Sequence, residues 1–267
     1  MQVACLVGFI VALLVACAPA GPAPQVADRL SAGQKTLIGR KIWQNECAGS
    51  IDGLMTWNAG EEFPSIGIGH FIWYPAGFKG RFEESWPSFV VFARQRGAEL
   101  PALAHEAHSP WSHKAEFQKD FKSPRSVALR TWLAGNVGLQ TDFIITRSRA
   151  ALGKILAAAP ASEKSRIEAT YRKVSTTSQG TYALIDYVNF KGEGTQVAER
   201  YNGQGWGLMQ VLGGMKEAPA GAPAAKEFAA SAKRILSRRI ANSPPARGEN
   251  RWEDGWHNRC DTYAKPL

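Results

Sequence analysis

The feature that most constrains the fold is the stretch from residue 42 to residue 70, which joins a helical pattern to a glycine-rich hairpin pattern. Ile38 and Ile42 have helical spacing, Glu46 follows one turn later, and Gly49 is a stop signal. We therefore predict a helix that carries Glu46 near its C-terminal end.

A β-hairpin is predicted directly after this helix. The residues from Leu54 onward fit a strand, Asn58, Ala59 and Gly60 fit a turn, and residues 65–70 alternate small or polar with apolar side chains. A hairpin that faces a glutamate at a helix end would form one wall of a cleft.

Helices dominate the rest of the chain. Ser123 followed by Pro124 is typical of a helix start, and apolar side chains recur at helical spacing in seven segments. The predicted helices span residues 83–96, 112–121, 123–134, 136–158, 162–176, 182–190 and 224–240. We expect one α+β domain, predominantly helical, from residue 28 to residue 267 with one short β-hairpin.

A net charge of +9 favours an anionic polymer or surface as the partner. The basic residues are spread along the chain and no nucleic-acid-binding motif stands out, so nucleic acid is not expected.

Nine tryptophans fit either an ordinary core and rim or a sugar-binding cleft, in which flat aromatic faces stack on pyranose rings.

Residues 1–16 have the character of a secretion signal, because they are uncharged and their apolar run is too short for a stable membrane span. The sequence LVAC at residues 14–17 resembles the lipobox of bacterial lipoproteins. The resemblance implies lipidation of Cys17 on the periplasmic side of the cell envelope, and Ala18 favours the outer over the inner membrane. Without Lys or Arg near the start, plain cleavage after a later alanine stays open. Residues 17–27, rich in Pro and Ala, are predicted to form a disordered tether.

Two cysteines, Cys47 and Cys260, remain in the mature chain. A pair of cysteines in a secreted protein suggests a disulfide, and two buried or reactive thiols are the alternative. A bond would pin the C-terminal tail, including Trp252 and Trp256, against the helix that carries Glu46.

Three histidines, His105, His108 and His113, lie close together but do not predict a metal site. Pro110 breaks the helical spacing before His113, and no second ligand pair has zinc spacing. We expect a solvated helix end here, and neither a metal nor a cofactor.

Glu46 is the candidate catalytic acid. A carboxyl group at the edge of a partly apolar cleft has its pKa raised by desolvation, so it can pass a proton to the leaving oxygen of a glycosidic bond. Trp43, Trp57 and Phe63 could supply that environment. The alternative is an ordinary solvated glutamate at a helix end.

The sequence SIGIGH at residues 65–70, after a helix-borne glutamate and a Trp-Asn turn, resembles the hairpin of phage-type lysozymes and endolysins. Their hairpin reads Thr-Ile-Gly-Ile-Gly-His after a Tyr-x-Asp turn. The resemblance implies a lysozyme-like fold, Glu46 as the general acid, Ser65 in place of the threonine, and His70 in place of the histidine.

The turn departs from that family. Asn58 lies near the position of the second acidic residue, and an amide cannot act as a base, so either Glu62 stands in or the enzyme works with one carboxylate. The residues expected to contact substrate along the hairpin are Trp57, Asn58, Gly67, Gly69 and His70.

Residues 207–211, GLMQV, resemble the Gly-Leu-Met-Gln motif of soluble lytic transglycosylases, which use a single glutamate on the preceding helix. Glu193 is the corresponding candidate, although Gly194 replaces that family's serine. Polar residues that could line a polysaccharide groove nearby are Asn189, Lys191, Tyr201 and Gln210. The alternative is a helix cap followed by a glycine-rich turn, with polar residues that are simply satisfied at the surface.

Both resemblances imply the same substrate, the glycan strand of peptidoglycan, and the lipobox implies delivery to the compartment that contains it. We expect cleavage between N-acetylmuramic acid and N-acetylglucosamine, by hydrolysis or lytic transglycosylation. The alternative is a peptidoglycan-binding lipoprotein that keeps the fold without turnover.

Overall fold

The computed structural model of the chain describes residues 30–80, 82–197 and 199–267. The predicted signal segment, the lipidated Cys17 and the tether lie outside these residues. Within them, no helix combines the length and hydrophobicity needed to cross a bilayer.

The described residues form a mostly helical α+β structure, as the sequence predicts. The helices are α1 (Ala32–Cys47), α2 (Trp86–Gln95), α3 (Lys114–Asp120), α4 (Pro124–Gly135), α5 (Val137–Ala158), α6 (Lys164–Val174), α7 (Ser178–Lys191), α8 (Leu208–Gly213), α9 (Ala222–Asn242) and α10 (Glu253–Thr262). The strands are β1 (Met55–Thr56), β2 (Ser65–Ile66), β3 (Phe71–Ile72), β4 (Arg200–Tyr201) and β5 (Gln204–Gly205).

Helix α1 ends where Gly49 predicts, and a capping box fixes its start. Ser31 accepts a hydrogen bond from the Gln34 backbone amide, and the Gln34 side chain accepts one from the Ser31 amide, which completes a capping box. Ala48 and Gly49 end the helix with positive φ angles of 50° and 69°. Glu46 therefore lies in the last turn of the helix.

The predicted hairpin is confirmed, but its second strand is shorter than expected. β1 pairs antiparallel with β2, and β2 pairs with β3, so the sheet has three strands. Residues 67–70 form a turn between β2 and β3. Gly67 has a φ of 77° and His70 a φ of 46°, values outside the extended region.

Helix α7 is the centre of the domain. Its Tyr182, Leu184, Ile185 and Tyr187 are almost fully buried, and it packs against α1, α5, α8 and α9. The tail after α9, for which the sequence pattern predicts no helix, forms α10 and packs back on α9. This return brings α10 beside the C-terminal ends of α1 and α7.

Candidate functional site

Side chains from three separate segments of the chain converge on the Glu46 carboxylate. Arg259 of α10 donates a hydrogen bond to Oε1 at 2.5 Å, and Asn189 of α7 donates to the same oxygen at 3.1 Å. The ring of His70, from the turn after β2, lies 3.5 Å from Oε2. The side chain is 13% exposed, so it is largely buried and still reaches solvent.

A second carboxylate, Asp186 of α7, shares Arg259. Asp186 is fully buried and receives two hydrogen bonds from the guanidinium, at 2.8 and 2.9 Å. Tyr263 donates to it at 2.6 Å and Asn45 at 3.3 Å. Because its oxygens are occupied in this way, Asp186 orients Arg259 and is not presented to a ligand.

These neighbours set the protonation of Glu46. Burial raises the pKa of its carboxyl, but the charges of Arg259 and His70 and the hydrogen bonds from Arg259 and Asn189 outweigh burial and bring the pKa below its ordinary value. Desolvation alone, as expected from the sequence, predicts a raised pKa for this carboxyl. The structure corrects that prediction, since it supplies a buried cation from the far end of the chain.

The turn that carries His70 is held by a residue with no part in the sequence argument, Gln140 of α5. Its Oε1 accepts a hydrogen bond from the Ile68 amide at 2.9 Å, and its Nε2 donates to the Leu133 carbonyl at 2.7 Å. A Cβ on Gly67 would collide with this Oε1. The turn is therefore fixed from inside the domain, and His70 is fixed with it.

The structure contradicts the predicted disulfide, because Cys47 and Cys260 are both free thiols. Cys47 Sγ lies 3.9 Å from the Gly67 carbonyl oxygen and 3.7 Å from His70 Nε2, while Cys260 is fully buried in α10. Burial, together with the nearby Glu46 charge, raises the pKa of the Cys47 thiol to about 12. The contact between Arg259 and Glu46 joins the tail to α1 instead of a covalent bond.

The hairpin residues lie mostly inside the protein. Ser65 is buried in β2, and Trp57 is buried against Phe117. Gly67 and Gly69 face Gln140, Phe71 and Ile144, so their small size permits internal packing and not the expected approach of a glycan.

The turn between β1 and β2 contributes nothing to the Glu46 cluster. Asn58 is exposed and donates to the Glu61 carboxylate at 2.9 Å, and Glu62 is exposed as well. Neither residue is among the partners of Glu46.

Glu193 and Glu46 belong to different clusters. Glu193 pairs with Lys154 of α5 at 3.2 Å, and no residue contacts both glutamates through a hydrogen bond or ion pair among the described residues. Gln210 accepts from the Gly207 amide and donates to the Gly194 carbonyl, which are capping interactions. Tyr201 donates to Glu249 at 2.9 Å. These contacts match the structural alternative for both residues.

A groove of about 420 Å³ opens beside Arg259. Its lining combines aromatic rings with neutral amide and hydroxyl groups and one guanidinium. The lining residues are Gln44, Asn45, Phe190, Gly255, Trp256, Asn258, Arg259 and Thr262. Most other tryptophans are buried in the core, whereas Trp252 and Trp256 pack on each other at the surface beside this groove.

Two of the three clustered histidines make local contacts. His105 lies 3.0 Å from an Arg94 nitrogen, and His113 caps α3 by accepting from the Glu116 amide. Among residues 30–80, 82–197 and 199–267, no group of three or more His, Cys, Asp and Glu side chains is arranged to hold a metal ion.

Sequence reasoning missed Arg259, Asp186 and Gln140. Asp186 carries a usable signal, since it is the one charged residue in the apolar run TYALIDYVNF and so needs a buried cation. Arg259 and Gln140 carry none, because their partners are distant in sequence.

In comparisons with protein-family models, curated proteins and solved structures, nothing matched this chain.

Proposed function

We propose that this protein cleaves the glycan strands of peptidoglycan at Glu46, in a lysozyme-like domain held at the cell envelope by a lipid anchor. One observation carries the proposal: the convergence of Arg259, Asn189 and His70 on a glutamate that stays partly open to solvent beside a groove. A polar cluster of this kind, built from distant segments, is typical of functional sites. The SIGIGH resemblance and the lipobox agree with this substrate.

Glu46 must carry a proton to act on a leaving glycosidic oxygen, and in the free protein its carboxylate is stabilised. A saccharide bound over the carboxylate would remove its remaining water and so raise its lowered pKa by desolvation. Asp186 retains the guanidinium while this happens. After the proton is given up, the carboxylate accepts one from the attacking hydroxyl.

The number of open carboxylates near Glu46 indicates which nucleophile attacks the glycosidic bond. Asp186 is saturated with hydrogen bonds, and no second open carboxylate lies among the described partners of Glu46. A site with one free carboxylate favours attack by the substrate's own 6-hydroxyl, which gives anhydro-muramic ends. Hydrolysis by the usual glycosidase mechanisms, by contrast, needs a second carboxylate that acts as base or as nucleophile.

The second candidate function is binding of peptidoglycan without turnover. The ion pair between Arg259 and Glu46 favours it, because a carboxylate kept ionised is a poor general acid. Such a protein would use the same groove, and only the chemistry would be missing.

Release of muropeptides from purified sacculi separates the two functions. We expect release by the wild type and a loss of at least about a hundredfold in Glu46→Gln, the scale of general acid catalysis. Glu193→Gln and Glu62→Gln are matched controls that should keep wild-type activity. No release by the wild type would leave binding as the function, and equal release by Glu46→Gln would remove Glu46 from the mechanism. Mass spectrometry of the products distinguishes reducing from anhydro ends.

A further inference from the structure

The ring of His70 lies between the side chains of two consecutive residues at the end of α1. Its Nδ1 is 3.5 Å from Glu46 Oε2, and its Nε2 is 3.7 Å from Cys47 Sγ. Each ring nitrogen of His70 therefore faces one partner. In a neutral imidazole one nitrogen carries the proton and the other accepts a hydrogen bond, so the two partners together decide which tautomer forms.

The backbone keeps His70 in this position. Its φ of 46° lies in the left-handed region, which a residue other than glycine adopts at a cost. The His70 amide donates to the Gly67 carbonyl at 3.1 Å, which closes the turn after β2. The His70 side chain is only 20% exposed, so most of the ring is in contact with protein. Backbone strain of this kind is found at functional sites, where the surrounding structure fixes one side chain.

The Cys47 thiol is a buried hydrogen-bond donor. Burial and the Glu46 charge raise its pKa to about 12, so the thiol keeps its proton near neutral pH. A Cβ on Gly53 would lie 2.8 Å from the Cys47 Cβ, which shows how closely the segment after α1 covers this side chain. The thiol has two acceptors within reach, His70 Nε2 at 3.7 Å and the Gly67 carbonyl oxygen at 3.9 Å. Of these two, His70 Nε2 is the nearer.

Both partners of His70 favour the same tautomer. A thiol that donates to Nε2 leaves the ring proton on Nδ1, the nitrogen that faces Glu46. The opposite tautomer would turn the lone pair of Nδ1 towards an ionised carboxylate and would deprive the Cys47 thiol of its nearer acceptor. The thiol and the carboxylate therefore act together on the ring.

The two oxygens of Glu46 differ in their surroundings. Oε1 accepts hydrogen bonds from Arg259 and Asn189, which occupy both of its lone pairs. Among the residues that the structure describes, His70 is the one side chain paired with Oε2. Oε2 is therefore the oxygen with room for the proton that Glu46 gives to a leaving group. As that proton departs, negative charge develops on Oε2, and an N–H dipole beside it stabilises the charge.

We infer that Cys47 is a positioning residue for the proposed acid, because its thiol holds His70 in the tautomer whose Nδ1–H faces Oε2 of Glu46. The inference rests on the proposed function and adds a residue to its mechanism. Cys47 contacts neither the substrate nor the reacting atoms and acts only through His70. This role needs neither a thiolate nor a disulfide.

NMR of the imidazole nitrogens tests the tautomer in the full-length protein without any turnover. Protein that contains nitrogen-labelled histidine is measured at about pH 8.5, where an ordinary histidine is neutral, and the signals lost in His70→Gln are those of His70. We expect the proton on Nδ1 in the wild type and in Cys47→Ser, which keeps a donor, and a mixture of tautomers in Cys47→Ala. Cys260→Ala removes the other buried thiol and should keep the wild-type signals.

A wild-type ring with its proton on Nε2, or with both nitrogens protonated, would overturn the inference. So would a ring in Cys47→Ala that keeps the wild-type signals. If Cys47→Ala does not fold, as judged by thermal unfolding, the wild type and Cys47→Ser decide the question.

Release of muropeptides measures what the contact contributes to the reaction. Cys47→Ala should lower release roughly two- to tenfold, the range of one uncharged hydrogen bond, and Cys47→Ser should recover most of the loss. Full release by folded Cys47→Ala would overturn the positioning role. If the wild type released nothing while its His70 ring carried the proton on Nδ1, the proposed function would fail and the tautomer would stand.

Discussion

Arg259 in the last helix hydrogen-bonds Glu46 in the first helix, and the same guanidinium is held by two further hydrogen bonds to buried Asp186. The ends of the domain are thereby joined at the candidate site. Stability and activity are coupled at this point, because one side chain both closes the fold and sets the charge of the proposed acid.

Removal of Arg259 should destabilise the protein strongly. In Arg259→Gln, Asp186 would stay buried without its cation, and the loss of one member of a buried pair costs about 3–5 kcal/mol in the free energy of unfolding. Arg172→Gln is the control, since it breaks an exposed pair within α6 worth about 0.5 kcal/mol or less. Urea unfolding of both variants gives the comparison. A similarly small loss of unfolding free energy in both variants would show that the buried pair of Arg259 and Asp186 does not stabilise the domain.

Much of the helical architecture could be predicted from the sequence, because its helices combine apolar spacing with clear end signals. Ser123 with Pro124 caps α4 at the expected place, and Gly49 ends α1 as expected. Helix α10 could not be predicted. Its residues EDGWHNRCDT include a glycine and lack an apolar stripe, so packing on α9 stabilises it and its local pattern does not.

The expectation of a single hairpin is wrong, because β4 and β5 form a second one whose turn signal is present in the sequence. Asn202-Gly203 has positive φ angles of 49° and 72° between the two strands, as a two-residue hairpin turn requires. At the candidate site, sequence reasoning selected Glu46 and His70. It could not find Arg259, because the pairing of residues 46 and 259 depends on the tertiary return of the tail.

The stability of the protein should fall in acid partly through Glu46. Its folded-state pKa lies below its ordinary value of 4.5, so the native state binds fewer protons than the unfolded chain. The contribution of the carboxylate is fully present above pH 4.5 and is lost as the pH falls through the folded-state pKa.

Urea unfolding of wild type and Glu46→Gln between pH 7 and pH 3 measures this contribution. As the pH falls, the wild type should lose stability relative to Glu46→Gln, so the difference in unfolding free energy between the two proteins should change. Glu62→Gln controls for the loss of one negative charge. A constant difference between wild type and Glu46→Gln across this range would contradict the lowered pKa.

The two cysteines should be unreactive in the native protein. Burial raises the pKa of the thiols of Cys47 and Cys260 to about 12, so neither supplies thiolate near neutral pH. Iodoacetamide should label neither residue in native protein and both after unfolding in urea without reductant. Peptide mapping by mass spectrometry locates the labels. Recovery of a disulfide-linked peptide pair that contains both residues would show that the disulfide forms after all.

The turn after β2 should tolerate no side chain at Gly67. Gly67 and Gly77 both have a φ of 77°, but a Cβ at Gly67 would meet the Gln140 Oε1 and the Phe71 ring, whereas a Cβ at Gly77 would meet nothing within 4 Å. Each substitution by alanine carries the cost of a left-handed conformation, about 1–2 kcal/mol. Gly67→Ala also carries an overpacking cost of about 1–3 kcal/mol.

The difference between Gly67→Ala and Gly77→Ala therefore isolates the collision from the backbone strain. Because Gln140 holds the turn that positions His70 against Glu46, Gly67→Ala should also lower muropeptide release, and Gly77→Ala should leave it unchanged. Urea unfolding and the sacculus assay, performed on the same two variants, measure both effects. Equal losses of stability in the two variants would mean that Gln140 moves aside and does not fix the turn. If Gly67→Ala lost stability but kept full release, the position of His70 would have no bearing on the reaction.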